Sequence, residues 1–296
     1  NTVKSRTEFR RSNKDEPFYP LGKFDINSMR RLLDSSQGIS TSAENIRAIL
    51  ESDFCPRINP VQEYFQKLSN WNEGEDSEII HLASCVTVRN PDKWQTYLTK
   101  WLIAVVANAM DDLFCRNHTC LVLTGEQGKF KTTFLDLLCP VELKAYLFTG
   151  TIDPQNKDTQ TLIAEYLFIN IDDQLKALNK RDENELKNLI TTPRVKYRRP
   201  YDTYIEEYPH LASFMASVNG NDFLTDPTGS RRFLPFEVEA IDIEAAKQVD
   251  INKVYSEAWW YWKSGYRYWF DDAEIAPRER RLSCADSRIR NVTQRL

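Results

Sequence analysis

The chain of 296 residues exceeds the usual size of a single core, which predicts one large domain with an appendage or two unequal domains. Hydrophobic residues make up 41% of it, enough for a sizeable core, and no run of about 18 apolar residues occurs, which excludes a membrane-spanning helix. The formal net charge of −4 excludes a generally basic nucleic-acid binder, so any nucleic-acid contact must come from a local basic patch.

The N-terminal residues and the cysteines indicate how the chain begins, in which redox compartment it folds and whether it binds zinc. Residues 1–22 are polar and lack both an initiator Met and a signal-peptide core, so we expect a flexible leader cut from a longer protein. The six cysteines show no disulfide-like spacing, which predicts a reducing, cytoplasmic location. Cys115, His118 and Cys120 suggest zinc, but no second ligand pair follows at finger spacing, so the buried or incidental interpretation is favoured.

Residues 23–115 are predicted to be a helical N-terminal region. Thr41 and Glu44 form a capping box for a helix that runs to about Ser52. The strongest helix opens with Asn90 as its cap and Pro91 in its first turn. Its apolar residues follow at helical spacing and are more typical of a core than of a base-stacking platform: Trp94, Tyr97, Leu98, Trp101, Leu102, Val105, Val106 and Ala109.

Residues 116–240 alternate short apolar runs with helical stretches, which is typical of an α/β sheet. The predicted strands are 120–124, 166–171, 212–218 and 232–238. The first three end in polar residues, and ligands of open α/β sheets bind at that carboxyl edge. Residues 241–296 are predicted to be a C-terminal helical segment, with Gly265 as a left-handed cap, followed by a basic tail.

The stretch LVLTGEQGKFKTTF (121–134) approximates the phosphate-loop pattern G-x-x-x-x-G-K-[ST]. Counting from Gly125 places Phe130 at the second glycine, Lys131 at the lysine and Thr132 at the hydroxyl. The alternative register at Gly128 fails, because Phe130 would then replace the Mg²⁺-binding hydroxyl. Phenylalanine at the position of the second glycine is unfavourable if the backbone there has a positive φ, because a bulky residue tolerates positive φ poorly. The nucleotide-binding residues would be Gly125, Glu126, Gln127, Gly128, Lys129, Phe130, Lys131, Thr132 and Thr133.

In this register Lys131 would reach the β/γ-phosphates of ATP, and Thr132 would bind Mg²⁺. Asp172 and Asp173 end an apolar strand, where Asp172 could hold Mg²⁺ and Asp173 could polarise the attacking water. Solvated or capping acids are the alternative interpretation.

Two later segments could complete the site. Asn219 ends the third strand and could orient the water, although an Asn-Gly pair is usually a turn. Arg231 and Arg232 precede the fourth strand, and one of them could act as an arginine finger on a neighbouring subunit's γ-phosphate. A surface arginine pair at a strand start is the alternative.

Five segments in this order resemble the virulence-associated protein E family: GEQGKFKTTFLDLLCP, TGTIDPQNKDTQTLIAEYLFINIDD, YRRPY, ASFMASVNGNDFL and DPTGSRRFLPFEV. The resemblance covers roughly residues 55–275. That family's P-loop module looks like a superfamily 3 helicase, an AAA+ relative. Members occur in phages, satellites and other mobile elements, often near primase modules, which implies a role in replicating element DNA.

The resemblance implies a compact ATPase with four functional segments. Walker A would be Gly125–Thr132, Walker B Asp172 with Asp173, the sensor Asn219, and the arginine finger Arg231 or Arg232. The chain departs from the family at Phe130, where many relatives have glycine, and at Asp173, where glutamate is more usual.

A basic segment follows the predicted Walker B strand. A helix over 180–192 ends at Pro193, and residues 194–205 alternate as a hairpin does. In superfamily 3 rings a hairpin at this place carries basic residues into the central channel. The hypothesis is therefore that Lys196, Arg198 and Arg199 contact DNA phosphates. The alternative is that one of the arginines braces the nucleotide site or the hairpin.

The resulting prediction is a Mg²⁺- and ATP-dependent helicase- or translocase-like ATPase of a mobile element. It would act as a homo-oligomeric ring on single-stranded or forked DNA, with a primase or initiator module as a further partner. The alternative is a nucleotide-binding module that does not hydrolyse ATP and serves assembly or regulation. A small-molecule kinase is disfavoured, because no acceptor-binding residues follow the loop.

Overall fold

The computed structural model describes residues 1–4, 6–9, 18–198, 204–220, 232–271 and 274. The chain divides into two compact units, Asn1–Tyr64 and Phe65–Leu296. None of the described helices has the length and apolar composition that crossing a bilayer requires. The four-part division predicted from the sequence remains a prediction.

The first unit contains a strand pair and helices. Strands β1 (Glu8–Phe9) and β2 (Tyr19–Pro20) pair antiparallel within the segment that the sequence predicts as a leader. Helices α1 (Lys23–Gln37) and α2 (Ala43–Leu50) follow, and α3 (Pro60–Lys67) contains the division between the units.

The cap of α2 differs from the predicted one. Ser42, and not Thr41, is the N-cap, and its side chain accepts a hydrogen bond from the backbone N–H of Asn45 at 3.1 Å. Neighbouring threonine and serine offer the same hydroxyl, so only the backbone path decides which of them meets the free N–H groups of the first turn. The helix ends at Leu50, two residues earlier than predicted.

The second unit alternates helices and strands. Its elements are α4 (Glu78–Ser84), β3 (Val86–Val88), α5 (Pro91–Met110), β4 (Cys120–Gly125), α6 (Lys131–Leu137), β5 (Leu147–Gly150), α7 (Lys157–Glu165), β6 (Phe168–Asp172), α8 (Lys180–Thr191), β7 (Arg194–Tyr197), β8 (Glu206–Pro209), β9 (Ser213–Asn219), β10 (Phe233–Ile241), α9 (Ile243–Gln248) and α10 (Ile251–Lys263). Two 3₁₀ helices span Val141–Tyr146 and Leu175–Ala177. All four predicted strands are confirmed, with shifted ends.

Six strands form one sheet in the order β3-β10-β4-β9-β6-β5, and only the β3–β10 pair is antiparallel. Strand β9 lies between β4 and β6, with Gly125 beside Asn219 and Asp172 beside Ser217. Because these three strands are parallel, their carboxyl ends meet at one edge. The register therefore brings the ends of the first three predicted strands together.

Helix α5 is buried along most of its length. Asn90 caps it as predicted, accepting from the N–H of Lys93, and Pro91 occupies the first turn. Trp94 and Trp101 are fully buried, and the Trp94 indole N–H donates to the Ala83 carbonyl at 2.9 Å. The prediction that these tryptophans belong to the core is confirmed.

The predicted left-handed glycine at the end of helix α10 is also confirmed, since Gly265 follows α10 with φ of 79°.

A hairpin follows α8 as predicted, but its second strand begins at Glu206, just past the predicted residues 194–205. Strands β7 and β8 pair antiparallel, with Lys196 beside Glu207 and Tyr197 beside Glu206. Val195 and Tyr197 belong to the buried cluster of the main sheet. The alternation of β7 therefore anchors one face in the core and leaves Lys196 on the exposed face.

Candidate functional site

The loop between β4 and α6 begins at a glycine that the packing requires. Gly125 has φ of 135°, and a Cβ at this position would lie 2.8 Å from the Val238 carbonyl oxygen. The Gly125 carbonyl accepts from the N–H of Gly220 at 3.0 Å, which ties the loop to the end of β9. A side chain here would push the loop away from β10.

Phe130 takes the left-handed conformation that a phosphate loop normally gives to glycine. Its φ and ψ are 58° and 22°, and it is the N-cap of α6. The side chain is 54% exposed, so the ring itself needs no space in the core. A non-glycine residue in this backbone conformation destabilises the fold by roughly 1–2 kcal/mol. The loop keeps its path despite this cost.

Lys131 directs its ammonium group back toward the loop and the end of β9. Its Nζ donates to the carbonyls of Gly125 at 3.0 Å and Glu126 at 2.6 Å, and to Asn219 Oδ1 at 3.2 Å. The residue is 5% exposed. Burial lowers the pKa of Lys131, and the charges of Asp173 and Asp172 oppose that shift. The predicted phosphate-binding lysine thus contacts Asn219 directly and is influenced by the charges of both predicted acids.

Thr132 and Asp172 are in direct contact. Thr132 Oγ1 donates to Asp172 Oδ1 at 2.8 Å, and Ser217 Oγ donates to the same oxygen at 2.7 Å. The two hydroxyl oxygens are 2.9 Å apart. These are oxygen ligands of the kind that Mg²⁺ prefers. One carboxylate and one hydroxyl suffice for it when phosphate oxygens and water fill the remaining positions.

Asp173 is held by Asn219 through both carboxylate oxygens. Oδ1 accepts the backbone N–H of Asn219 at 3.0 Å, and Oδ2 accepts its side-chain amide at 2.8 Å. Asp173 has φ of 49°, one of the two positive values among the described non-glycine residues. The bond from Lys131 to Asn219 completes a chain from the ammonium group through the amide to the carboxylate.

The other loop residues are mostly exposed. Glu126, Gln127, Gly128 and Thr133 face solvent, while Lys129 is half-buried and its Nζ lies 3.8 Å from Glu126 Oε2. The structure contains a cavity of about 670 Å³, which is lined by Ile152, Gln174, Asp182 and neighbouring residues. None of the predicted site residues lines it.

The predicted arginine finger lies outside this cluster. Arg231 falls outside the described residues, and Arg232 immediately precedes β10. Phe233 pairs in parallel with Cys120, at the start of β4, whereas the predicted phosphate loop follows the end of β4. Five residue steps of strand, roughly 16 Å, separate these two ends of the sheet. Arg232 thus lies at the end of the sheet opposite the loop between β4 and α6 of the same chain.

The predicted DNA-binding residues lie on the β7–β8 hairpin. Lys196 is exposed, and its Nζ is 3.7 Å from Glu207 Oε1 across the hairpin. Arg198 is exposed, and Arg199 lies outside the described residues. Arg194, which was not predicted as a site residue, forms an ion pair with Glu207 at 3.2 Å and braces the hairpin.

The zinc interpretation gains no support from the structure. Cys115 and Cys120 are buried, burial raises the pKa of Cys115 to about 12, and the ring Nε2 of His118 lies 2.9 Å from the Cys115 carbonyl. Within the described part of the chain, no cluster of three or more His, Cys, Asp or Glu side chains could hold a metal ion. The burial of both cysteines agrees with the favoured interpretation that they are buried residues.

Ser217 belongs to the site although the sequence does not predict it. Its run predicts a buried strand, of which Asn219 is the polar end. Side chains alternate along a strand, so residues two apart share a face. A hydroxyl two positions before Asn219 on the same strand face was the available signal.

The fold and this cluster define a mixed α/β protein with a mostly parallel sheet and a polar site at its carboxyl edge. The chain belongs to the virulence-associated protein E-like domain family, whose family model matches residues 66–283. No curated protein matches the chain.

Solved structures of a protein named NrS-1 share the fold. The apo structure of its C-terminal region, 305–718, is 13% identical with a TM-score of 0.55, and the match covers 89% of this chain and 65% of that one. An A-form apo structure of the same region is 15% identical with a TM-score of 0.53, covering 93% and 68%. The chain thus spans about two thirds of the NrS-1 regions it matches.

Proposed function

We propose that this chain is a Mg²⁺-dependent ATPase that acts on DNA during the replication of a mobile genetic element. One observation carries the proposal: Lys131, Thr132, Asp172, Asp173 and Asn219, from three parts of the sequence, meet at one edge of the sheet. An ammonium group, a hydroxyl, two carboxylates and an amide are the groups that phosphoryl transfer from a nucleotide requires.

Lys131 would bind the β/γ-phosphates, since its ammonium group is held at the loop by the neutral carbonyls of Gly125 and Glu126. Thr132 and Asp172 would hold Mg²⁺, and their oxygen donors fit that ion. Bound there, Mg²⁺ supplies positive charge that neutralises the phosphate oxygens.

Asp173 is the candidate for accepting the proton of the attacking water, and Asn219 fixes its orientation through two hydrogen bonds. Catalysis would come from positioning and electrostatics, because phosphoryl transfer needs little covalent chemistry from the protein.

We propose a ring because an arginine finger acts on the γ-phosphate of a neighbouring subunit. Arg232 lies at the end of the sheet opposite the loop between β4 and α6, so it would serve a γ-phosphate only if a neighbouring subunit presented one. Oligomerisation and hydrolysis would therefore be coupled.

The DNA-related part of the proposal rests on family membership and on the exposed hairpin charges of Lys196 and Arg198. A primase or initiator module is proposed as a partner because of the family's setting in mobile elements. The five described cysteines are free, as expected for a cytoplasmic protein.

The test is phosphate release by the full chain, with and without single-stranded DNA, compared with Lys131→Ala and Lys247→Ala. Lys247 is on α9, outside the candidate site, and pairs with exposed Glu244 at 2.7 Å, so its variant is a matched control for loss of a lysine. We expect Lys131→Ala to abolish release and Lys247→Ala to retain most of it. Wild-type turnover in Lys131→Ala would refute the site assignment.

A second candidate function is a nucleotide-gated assembly module without hydrolysis. It is favoured by the strained Phe130 loop and by Asp173, whose two carboxylate oxygens are both occupied by Asn219. Tight, Lys131-dependent ATP binding without phosphate release at any DNA concentration would select this function over the motor.

A further inference from the structure

Ser217 lies at the centre of the candidate site. It is on β9, the strand between β4 and β6, and its Cα is paired with Leu123 on one side and Asp172 on the other. The residue is 3% exposed. A buried hydroxyl is stable only when it is hydrogen-bonded, so its partners indicate what it does.

Both partners of Ser217 are proposed magnesium ligands. Its Oγ is 2.7 Å from Asp172 Oδ1 and 2.9 Å from Thr132 Oγ1, and Thr132 Oγ1 is itself 2.8 Å from Asp172 Oδ1. An ionised carboxylate only accepts hydrogen bonds, and each hydroxyl has one hydrogen. Both hydroxyls are within donating distance of Asp172, and when both donate to it the lone pairs of Thr132 are left for another partner.

We propose that Ser217 is a positioning residue for the Mg²⁺ site, an inference that rests on the proposed ATPase function. Together with Thr132 it saturates Oδ1 of Asp172 and fixes the rotamer of the carboxylate. In the described part of the chain no hydrogen bond reaches Oδ2, which is thus the oxygen available to the cation or to its water.

The size of the effect follows from the type of bond. A hydroxyl donating to a carboxylate makes a short, charge-assisted hydrogen bond. Removing such an outer partner of a metal ligand typically weakens metal binding roughly 10- to 100-fold. Ser217→Ala leaves Asp172 with Thr132 as its remaining hydroxyl donor. We therefore expect the affinity for the metal ion to fall about 10-fold.

The experiment measures binding of Mn²⁺, as a paramagnetic probe for Mg²⁺, to the full chain saturated with a non-hydrolysable ATP analogue. Free Mn²⁺ is followed by electron paramagnetic resonance. We expect Ser217→Ala to weaken Mn²⁺ binding about 10-fold, and Ser217→Thr, which restores the hydroxyl, to recover most of it. Binding of the analogue in EDTA should be unchanged in Ser217→Ala, which shows that the fold and Lys131 are intact.

Ser213→Ala is the matched control. Ser213 is on the same strand, four residues earlier and fully buried, and its Oγ has no hydrogen-bond partner among the described residues. We expect wild-type Mn²⁺ binding in this variant. The inference is overturned if Ser217→Ala binds Mn²⁺ like the wild type, if Ser213→Ala weakens binding equally, or if analogue binding in EDTA falls in parallel.

The proposed function fails in a different way. If the wild type binds Mn²⁺ no better with the analogue than without it, the site is not a metal–nucleotide site, and the role of Ser217 falls with it. Nucleotide-dependent Mn²⁺ binding that Ser217→Ala leaves intact instead refutes Ser217 alone.

Discussion

Asn219 donates two hydrogen bonds to Asp173, one from its backbone N–H at 3.0 Å and one from its side-chain amide at 2.8 Å. The same amide accepts from Lys131 through its oxygen at 3.2 Å. The group proposed to bind phosphate and the group proposed to accept a proton are therefore linked through one side chain. A phosphate that draws Lys131 away from Asn219 would therefore also alter the hydrogen bonds that Asn219 donates to Asp173.

The first prediction concerns Asp173. Asp173→Asn removes the carboxylate that accepts the proton but adds no bulk, so we expect turnover to fall about 10²–10⁴-fold. Nucleotide affinity should change little, because Lys131 and Thr132 are untouched. Phosphate release and equilibrium binding of a fluorescent ATP analogue separate the two quantities. An unchanged turnover number would exclude Asp173 as the base.

Phe130 provides a stability prediction. Phe130→Gly relieves the cost of φ at 58°, and the exposed ring loses little burial. Part of the gain is offset by the greater freedom of glycine in the unfolded chain. We expect the free energy of unfolding to rise by about 1 kcal/mol, measured by urea denaturation. Phe130→Ala retains Cβ and should show no such gain, and equal gains in both variants would contradict the backbone explanation.

The third prediction uses mixed subunits. Lys131→Ala subunits keep both arginines, and subunits with Arg231→Ala and Arg232→Ala keep the phosphate loop. If the finger acts on a neighbour, each variant alone is inactive, and random mixing leaves about a quarter of the interfaces intact. ATPase activity should therefore reappear in the mixture. Its absence, or full activity of the double arginine variant alone, would contradict a finger acting between subunits.

The fourth prediction concerns the hairpin. Replacing Lys196, Arg198 and Arg199 with alanine should make the affinity for single-stranded DNA less dependent on salt, lowering the slope by about 2 in a log–log plot. Fluorescence anisotropy over a range of KCl concentrations gives that slope. Lys196→Ala alone should do less than the triple change, because Glu207 already lies 3.7 Å from its ammonium group. A triple variant with the wild-type slope would exclude the phosphate contact.

His210 predicts a dependence of stability on pH. Burial lowers the pKa of His210 to about 4 against the opposing effect of the Thr192 and Ala212 carbonyls, which lie 2.6 Å and 2.8 Å from its two ring nitrogens. The folded chain therefore favours the neutral ring, while the unfolded chain titrates near 6.5. Stability is thus fully present above about pH 6.5 and is lost as the pH falls toward 4. Between pH 7 and pH 5 we expect a loss of about 2 kcal/mol in urea denaturation. The free energy of unfolding of His210→Gln should fall less than that of the wild type over this pH range. Identical pH profiles for the variant and the wild type would contradict the role of His210.

The amino-acid sequence by itself determined four strands of the main sheet, the buried helix α5 and the choice of most candidate site residues, but not β1, β2, β3 or β5. Alternating apolar runs predicted four strands, and Asn90 and Pro91 predicted the start of the buried helix. These signals are local, because strand alternation and helix capping depend on residues only a few positions apart. The spacing around Gly125 likewise selected Lys131 and Thr132, whose chemistry is set by residue type.

Only the tertiary structure decided how these groups meet. The parallel register places Ser217 beside Asp172 and puts Arg232 at the end of the sheet opposite the loop between β4 and α6, although all of these residues stand near strand ends in the sequence. The choice of Ser42 over Thr41 as a cap and the ion pair of Lys196 with Glu207 were also undecided by the sequence. The physical reason is that strand order and register arise from packing between distant segments, which no local pattern specifies.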